Sequence, residues 1–420
     1  MTAAPSSVAA PQPPLTNVQG LSAEDAVDRL IARAVAMGAS DLFLVTNSNH
    51  VSAEVRHLGL MRQIAVLDAT QGKKAITYIR NNAGMDIGET RKPDDGRWIW
   101  RTDSGDAQID EDSTVDMRIN VMPTLYGEDI AMRLLVRSNT LYSVEKLGML
   151  DKQLGKFKSM LNNPAGMILI TGPTGSGKTA TLYASLLKLN DGSRKINTIE
   201  DPIEYSVEGL RQSQINPGVQ LDFAGLLRAT LRQNPDVIMI GEIRDAETAQ
   251  TAVRAANSGM LVLATMHSPS TAATVQAMRA YGVTDHFLAS SLRGVVAQRL
   301  VRTLDPATRK EVDMSGTGAF EEIQGMLEPG EGEKMYAAEP AESNQMTGYN
   351  GRAGVFEIME VTRTLRSLIA SNATAADIRE QAIKDGMIEF RKAALLKVAK
   401  GDTTLEEVFR VIPSEDLIDE

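Results

Sequence analysis

The spacing of apolar positions divides the chain into recognisable stretches. Leu21, Ala26, Val27, Leu30, Ile31, Ala34 and Val35 recur at helical intervals up to Gly38, behind a capping-box-like Ser22-Ala-Glu-Asp25. Asp41 to Thr46 and Ala53 to Leu60 read as strands, 73–82 as a helix and Pro93-Asp-Asp-Gly96 as a turn; 98–100, 114–121 and 130–135 read as further strands. Alternation along 115–121 puts Val115, Met117, Ile119 and Val121 on one face and Asp116, Arg118 and Asn120 on the other. Arg118, Arg133 and Arg137 are therefore candidates for a shared polar surface, although on spacing alone a plain solvated sheet face is the better account of them.

The pattern changes past residue 140. After a connecting segment with a helix over 141–160 come short apolar runs at 167–171, 196–199, 237–240 and 261–265, with helical stretches between. Such alternation predicts a doubly wound, mostly parallel sheet that binds ligands at the carboxyl ends of its strands. Residues 305–347 are acidic, rich in Gly, Glu and Pro, and aperiodic, which predicts a long loop. Order resumes at Gly348, with helices near 362–371, 374–385 and 388–400 and a last one opened by Thr403-Thr-Leu-Glu406. The expected organisation is α/β: a disordered Ala/Pro-rich tail over 1–20, an α+β domain over 21–140, and a nucleotide domain over 141–420 that includes the acidic loop 305–347 and a helical C-terminal subdomain 348–420.

The strand ends carry the chemistry. Met167–Thr171 runs straight into Gly172, Pro173, Thr174, Gly175, Ser176, Gly177, Lys178 and Thr179, with Ala180 opening the next helix. This is the phosphate-binding loop pattern in its required strand–loop–helix setting. Its glycines let backbone N–H groups turn inward around phosphates at a helix N-terminus. Lys178 adds a point charge, and Thr179 offers a hydroxyl to magnesium. Val237–Ile240 ends in Gly241-Glu242, the form of a strand whose carboxylate holds magnesium or polarises the attacking water. Ile199 is followed by Glu200-Asp201-Pro-Ile-Glu204, and the run at 261–265 by Met266-His267. A neutral imidazole there can read a γ-phosphate or serve the fold.

Composition narrows the partners. A net charge of −10 offers no basic field for nucleic acid. With no cysteine there is neither disulfide nor thiolate zinc site. No apolar run reaches the roughly 18 residues of a membrane span, and the start lacks a signal-peptide pattern, so any membrane link is expected to go through a partner.

Several blocks in order resemble the hexameric secretion ATPases of type II secretion and type IV pilus assembly, from about residue 25 to 412. They are GPTGSGKTATLY at 172–183, TIEDPIEY at 198–205, LRQNPDVIMIGEIRDAETA at 231–249 and SGMLVLATMHSPSTAATV at 258–275, with GYNGRAGVFEIMEV from Gly348 and the DGMIEF…VFRV ending. The resemblance implies a PAS-like N-terminal domain, a RecA-like core, and a cytoplasmic homo-hexamer. Such a ring spends ATP with Mg2+ to drive an inner-membrane platform protein, and associates with that membrane only through its partners. It assigns catalysis to Glu242, Glu204 and His267, and it makes Arg118 and Arg133 the arginine pair that reaches a neighbour's ATP. It is closer to the assembly branch than to the retraction branch. A retraction or conjugation-type motor, or a nucleotide-dependent scaffold with little turnover, are the alternatives. Members often carry a four-cysteine zinc motif before the GY-GR block, and here 305–347 has none, so zinc is not expected.

Overall fold

A computed structural model describes residues 12–101, 114–136, 143–314 and 318–413. The chain forms two compact units. The first comprises the chain before residue 140 together with Asp305–Lys310 and Ala338–Gly351, and the second comprises the rest.

The first unit is built on β1 (Asp41–Thr46), β2 (His50–His57), β3 (Leu60–Asp68), β4 (Asp94–Arg101), β5 (Thr114–Thr124) and β6 (Gly127–Val136). They form one sheet in the order β3-β2-β1-β6-β5-β4, with every neighbouring pair antiparallel. Helices α1 (Ala23–Ala36) and α2 (Ala69–Asn82) share its apolar core. Ser22 caps α1 by accepting the Asp25 N–H at 3.0 Å, and the helix buries Ala26, Val27, Leu30, Ile31 and Ala34 in one cluster with Leu42, Met117 and Ile119. Val115, Met117, Ile119 and Val121 are buried, as the alternation predicts.

Three readings of this unit need correction. The end of the Ala/Pro tail is packed: Val18 is buried, its carbonyl accepts from Gln71 Nε2 at 2.8 Å, and the Thr16 N–H reaches the Ile64 carbonyl at 2.6 Å. Pro93-Asp-Asp-Gly96 is no turn, because Asp94, Asp95 and Gly96 pair with Val121, Asn120 and Ile119 inside the sheet. Gly96 is there for close approach, since a Cβ on it would stand 2.6 Å from the Ala83 carbonyl at the end of α2. The single strand over 53–60 is in fact the end of β2 and the start of β3, turned at Leu58-Gly59 with both residues at positive φ.

The second unit holds the parallel sheet. In chain order it contains α3 (Asp151–Leu161), β7 (Gly166–Thr171), α4 (Lys178–Leu189), β8 (Ile196–Glu200), β9 (Arg211–Gln214), α5 (Phe223–Leu231), β10 (Val237–Ile240), α6 (Ala246–Asn257), β11 (Leu261–Met266), α7 (Thr271–Ala280), α8 (Asp285–Ser291) and β12 (Leu292–Leu304). A short ribbon of β13 (Lys310–Asp313) and β14 (Lys334–Ala337) follows, then β15 (Tyr349–Glu360), α9 (Arg363–Ala370), α10 (Ala375–Lys384), α11 (Phe390–Ala399) and α12 (Leu405–Val411); only Lys310 of β13 and Tyr349–Gly351 of β15 are counted with the first unit. Strand order is β15-β12-β7-β11-β10-β8-β9, and β12, β7, β11, β10, β8 and β9 run parallel. β7, β8, β10 and β11 are buried at every position, as strands covered on both faces must be.

The acidic stretch and the C-terminal region differ from expectation. Residues 305–347 carry β13, β14 and two 3-10 turns rather than a bare loop. Local hydrogen bonding replaces the missing apolar periodicity. Buried Asn344 donates to Asp305 Oδ2 at 3.1 Å, and its Oδ1 accepts the N–H groups of Ala341 and Gly348, each at 2.9 Å. Next to it, Gln345 Oε1 accepts from Arg33 at 2.8 Å within the first unit. The C-terminal region is helical only after β15, which joins the large sheet as its edge.

Candidate functional site

Parallel register sets the site. Ile199 pairs with Ile240, and Met266 with Thr171, so β8, β10, β11 and β7 deliver Glu200-Asp201, Gly241-Glu242, His267 and Gly172 to one end of the sheet. Those strands are locked by burial. Ile168, Leu169, Ile238 and Leu263 are fully covered, and truncating any of them to Ala would cost about 2–5 kcal/mol. The strand ends are also tied to each other, because Thr171 Oγ1 accepts the Ser268 N–H at 2.8 Å and donates to the Ser268 carbonyl at 2.9 Å.

The phosphate loop is a tight ring. Gly172 has φ +144°, and a Cβ there would stand 2.5 Å from the Gln298 carbonyl and 2.7 Å from Ser176 Oγ. Ser176 Oγ is buried with no hydrogen-bond partner among the described residues. Lys178 Nζ folds back on the loop, donating to the carbonyls of Gly172 at 2.8 Å and Pro173 at 3.1 Å. Burial pushes the Lys178 ammonium down to about 8, with the Glu242 carboxylate opposing and the Arg299 guanidinium adding to the shift. An anion in the carbonyls' place would favour its charged form.

A line of side chains crosses the strand ends from there. Lys178 Nζ lies 3.5 Å from His267 Nδ1, and His267 Nε2 lies 2.9 Å from Glu242 Oε1. Arg244 Nε donates to Glu242 Oε2 at 2.6 Å and its Nη1 reaches Asp201 Oδ2 at 3.4 Å. Lys178, His267 and Glu242 thus meet, and they do so without Glu204. Glu204 is half-buried on the loop after β8, beside Tyr205, whose ring packs 4.1 Å from that of Tyr183. Thr179 is exposed in the first turn of α4, next to Ala180. Among the described residues no cluster of three His, Asp or Glu side chains can hold a metal unaided. One hydroxyl and one carboxylate nonetheless fit magnesium, which takes most of its ligands from phosphate and water.

Arg118 and Arg133 lie in the first unit as direct cross-strand partners on β5 and β6. The row continues to Arg97 on one side and Asp41 on the other, where Arg133 Nε meets Asp41 Oδ1 at 3.3 Å. Arg133 is exposed and Arg118 half-buried; Arg137 lies outside the described residues.

Some residues of this sheet end were given no role by the sequence reading. Arg244 stands two places after Glu242, and its charge was the available signal. Glu200 is buried and shared by Tyr183 Oη at 2.5 Å, Thr198 Oγ1 at 2.6 Å and Gln212 Nε2 at 3.1 Å, and both burial and this acceptor hold the Tyr183 hydroxyl in its neutral form. Gln298 is buried in β12, a strand the reading missed; a polar residue inside Val295-Val-Ala-Gln298 was its only sign.

Comparison with known proteins gives the family. The family model of the type II/IV secretion system proteins matches residues 19–410. The type II secretion system protein E of Dickeya dadantii is 37% identical over 389 residues, 93% of this chain and 75% of its own length. The type IV pilus assembly ATPase PilB of Pseudomonas aeruginosa is 38% identical over 386 residues, 92% of this chain and 66% of its own length. The X-ray structure of the Legionella pneumophila ATPase DotB superposes with a TM-score of 0.69 at 20% identity, covering 94% of this chain and 98% of that one, a likeness of fold that identifies the core as RecA-like. With a family match over nearly its whole described length and the phosphate loop, acidic strand end and histidine gathered at one sheet end, the chain belongs to the type II/IV secretion system protein family.

Proposed function

We propose that this chain is a magnesium-dependent ATPase that works as a homo-hexameric ring at the cytoplasmic side of the inner membrane. Hydrolysis there drives movement of the two units and powers assembly of a type IV pilus or a type II secretion pseudopilus through a membrane platform protein. The supporting names are those of relatives 36–38% identical. The observation that carries the reading is the line Lys178–His267–Glu242, which joins a phosphate loop to a carboxylate across three parallel strand ends. Among the described residues no helix is long and apolar enough to cross a membrane.

The roles follow from the chemistry of the groups. The loop Gly172–Ala180, through the N–H groups of all its residues but Pro173, and the Lys178 ammonium bind the phosphates; Ser176 Oγ is a further donor facing the loop. Thr179 and Glu242 would hold magnesium together with the nucleotide, and the ion would supply positive charge to the transferring phosphoryl group. Glu242 orients and deprotonates the attacking water, Glu204 shares that acid–base work, and His267 reads the γ-phosphate. Arg118 and Arg133 complete the site of a neighbouring subunit, because planar guanidinium forks donate paired hydrogen bonds to phosphate and stay charged.

The test is phosphate release from Mg-ATP by the full chain beside its Lys178→Ala variant. Hydrolysis by the wild type and its loss with weakened nucleotide binding in the variant are expected; equal release by both would sink the assignment.

A further inference from the structure

A phosphate loop works only if its N–H groups face inward, and each peptide carries a carbonyl on the opposite side. Turning the amides toward phosphate therefore turns the carbonyls toward protein, where each must find a donor. At the peptide between Ser176 and Gly177 the donor comes from outside the loop. Gln298 Nε2, on β12 beside β7, donates to the Ser176 carbonyl at 2.7 Å. The other end of the same carboxamide is held too, since Gln298 Oε1 accepts from Thr181 Oγ1, in the first turn of α4, at 2.8 Å. Gln298 and Thr181 are both buried, with 1% and 0% exposure.

We propose that Gln298 is a positioning residue for nucleotide binding: by holding the Ser176 carbonyl outward it keeps the Gly177 N–H aimed at the phosphates. This rests on the ATPase reading above. A carboxamide suits the site, because it donates at one end to a carbonyl and accepts at the other from a hydroxyl. The Ser176 carbonyl can only accept and so takes the Nε2 end, while the Thr181 hydroxyl donates to the oxygen end and holds it away from the loop. The Gln298 backbone serves the same loop, since its carbonyl is the group that excludes a side chain at Gly172. On the next residue, Arg299 Nη2 donates to the Pro269 carbonyl at 2.9 Å, just past His267, while its guanidinium lies 4.9 Å from the centre of the Phe390 ring. Consecutive side chains of one strand thus hold the loops on both sides of Lys178.

The Gly177 N–H would touch phosphate before and during hydrolysis, so its loss weakens ground state and transition state alike and appears in KM rather than kcat. The experiment uses the full chain with Gln298→Met, which keeps the volume and removes donor and acceptor. KM for Mg-ATP, kcat, the Kd of a fluorescent ADP analogue and the thermal midpoint without nucleotide are measured beside the wild type. A rise of at least about fivefold in both KM and the ADP Kd, with kcat within about twofold, is expected from the loss of one buried hydrogen bond to the loop. A variant that melts earlier but keeps wild-type KM and Kd overturns the proposal, because a purely structural glutamine lowers the folded fraction without changing the affinity of what remains. If Gln298→Met does not fold, Thr181→Val removes only the hydroxyl that orients the carboxamide. A loss of ADP affinity of about threefold or more then supports the proposal, and unchanged affinity overturns it. Wild-type protein that binds no nucleotide fails the ATPase reading itself, whereas wild-type binding with an indifferent Gln298 variant fails this inference alone.

Discussion

Glu242 and His267 meet end to end, with the carboxylate Oε1 2.9 Å from the imidazole Nε2. Neither comes from a loop free to wander: Glu242 follows a strand with four buried residues, and His267 a strand with six. Their side chains remain accessible, at 16% and 47% exposure, so a ligand can reach both. The first prediction concerns this pair. Glu242→Gln keeps the shape and removes the base, so nucleotide binding should persist while kcat falls about 10²-fold or more. ADP titration and steady-state phosphate release check it, and hydrolysis at the wild-type rate would remove Glu242 from the catalytic role.

The second prediction follows from the depressed ammonium of Lys178. Its value of about 8 in the nucleotide-free chain lies below the ordinary 10.4 of an exposed lysine. Phosphate binding favours the charged form, so a nucleotide must recharge the lysine wherever the free chain has lost its proton. ATP affinity should therefore hold steady below pH 7 and weaken progressively above pH 8, with a proton taken up on binding near pH 9. Calorimetry in two buffers of different ionisation enthalpy measures that uptake directly; affinity independent of pH between 7 and 9.5 contradicts it.

How much of this was readable beforehand depended on how each strand meets the core. β7, β10 and β11 are continuous apolar runs with their chemistry directly after them, and the loop, Glu242 and His267 stood out for that reason. β12 hid because it buries Gln298 and Arg299 among its valines, so its pattern looks broken until each polar group is seen to have a partner. β15 hid because Tyr349-Asn-Gly-Arg-Ala-Gly reads as irregular, yet Val355–Met359 are buried in the sheet. In the first unit the alternation of β5 was legible, whereas the pairing of Arg118 with Arg133 depends on a register that no local pattern encodes.

A third prediction tests that arginine pair. Arg133→Ala and Lys178→Ala subunits should each be nearly inactive alone. Mixed rings should recover part of the activity, because some sites then join an intact loop to a neighbour's intact arginine. An arginine serving in this way contributes about 10³-fold or more to rate. Demonstrably mixed rings that stay dead at every ratio would retire the trans-acting role.

A fourth prediction concerns stability away from the site. Glu407 is fully buried, and burial alone would raise its pKa. Hydrogen bonds from Arg410 and Arg302 overcome that and hold the carboxyl below its ordinary value. Because the folded value is the lower one, the stabilisation is present above the unfolded value of about 4.3 and is lost as pH falls through the folded value. Glu407→Gln leaves two arginines facing a neutral amide and should cost about 3 kcal/mol at pH 7. Urea denaturation of wild type and variant measures the gap, which should narrow at pH 3; equal stability at pH 7 would show that the ion pairs contribute nothing net.

The first unit is woven from three separated stretches of chain, fastened where Asn344 binds Asp305 and where Arg33 holds Gln345. A gene cut once near codon 140 therefore does not yield two transplantable parts. The fragment before the cut lacks residues that its own fold uses, and a chimera joined there would place one parent's Gln345 against the other parent's Arg33. Inheritance of the pair as a single cassette is the simplest way to keep that fastening intact, so successful exchanges between relatives should carry both units together.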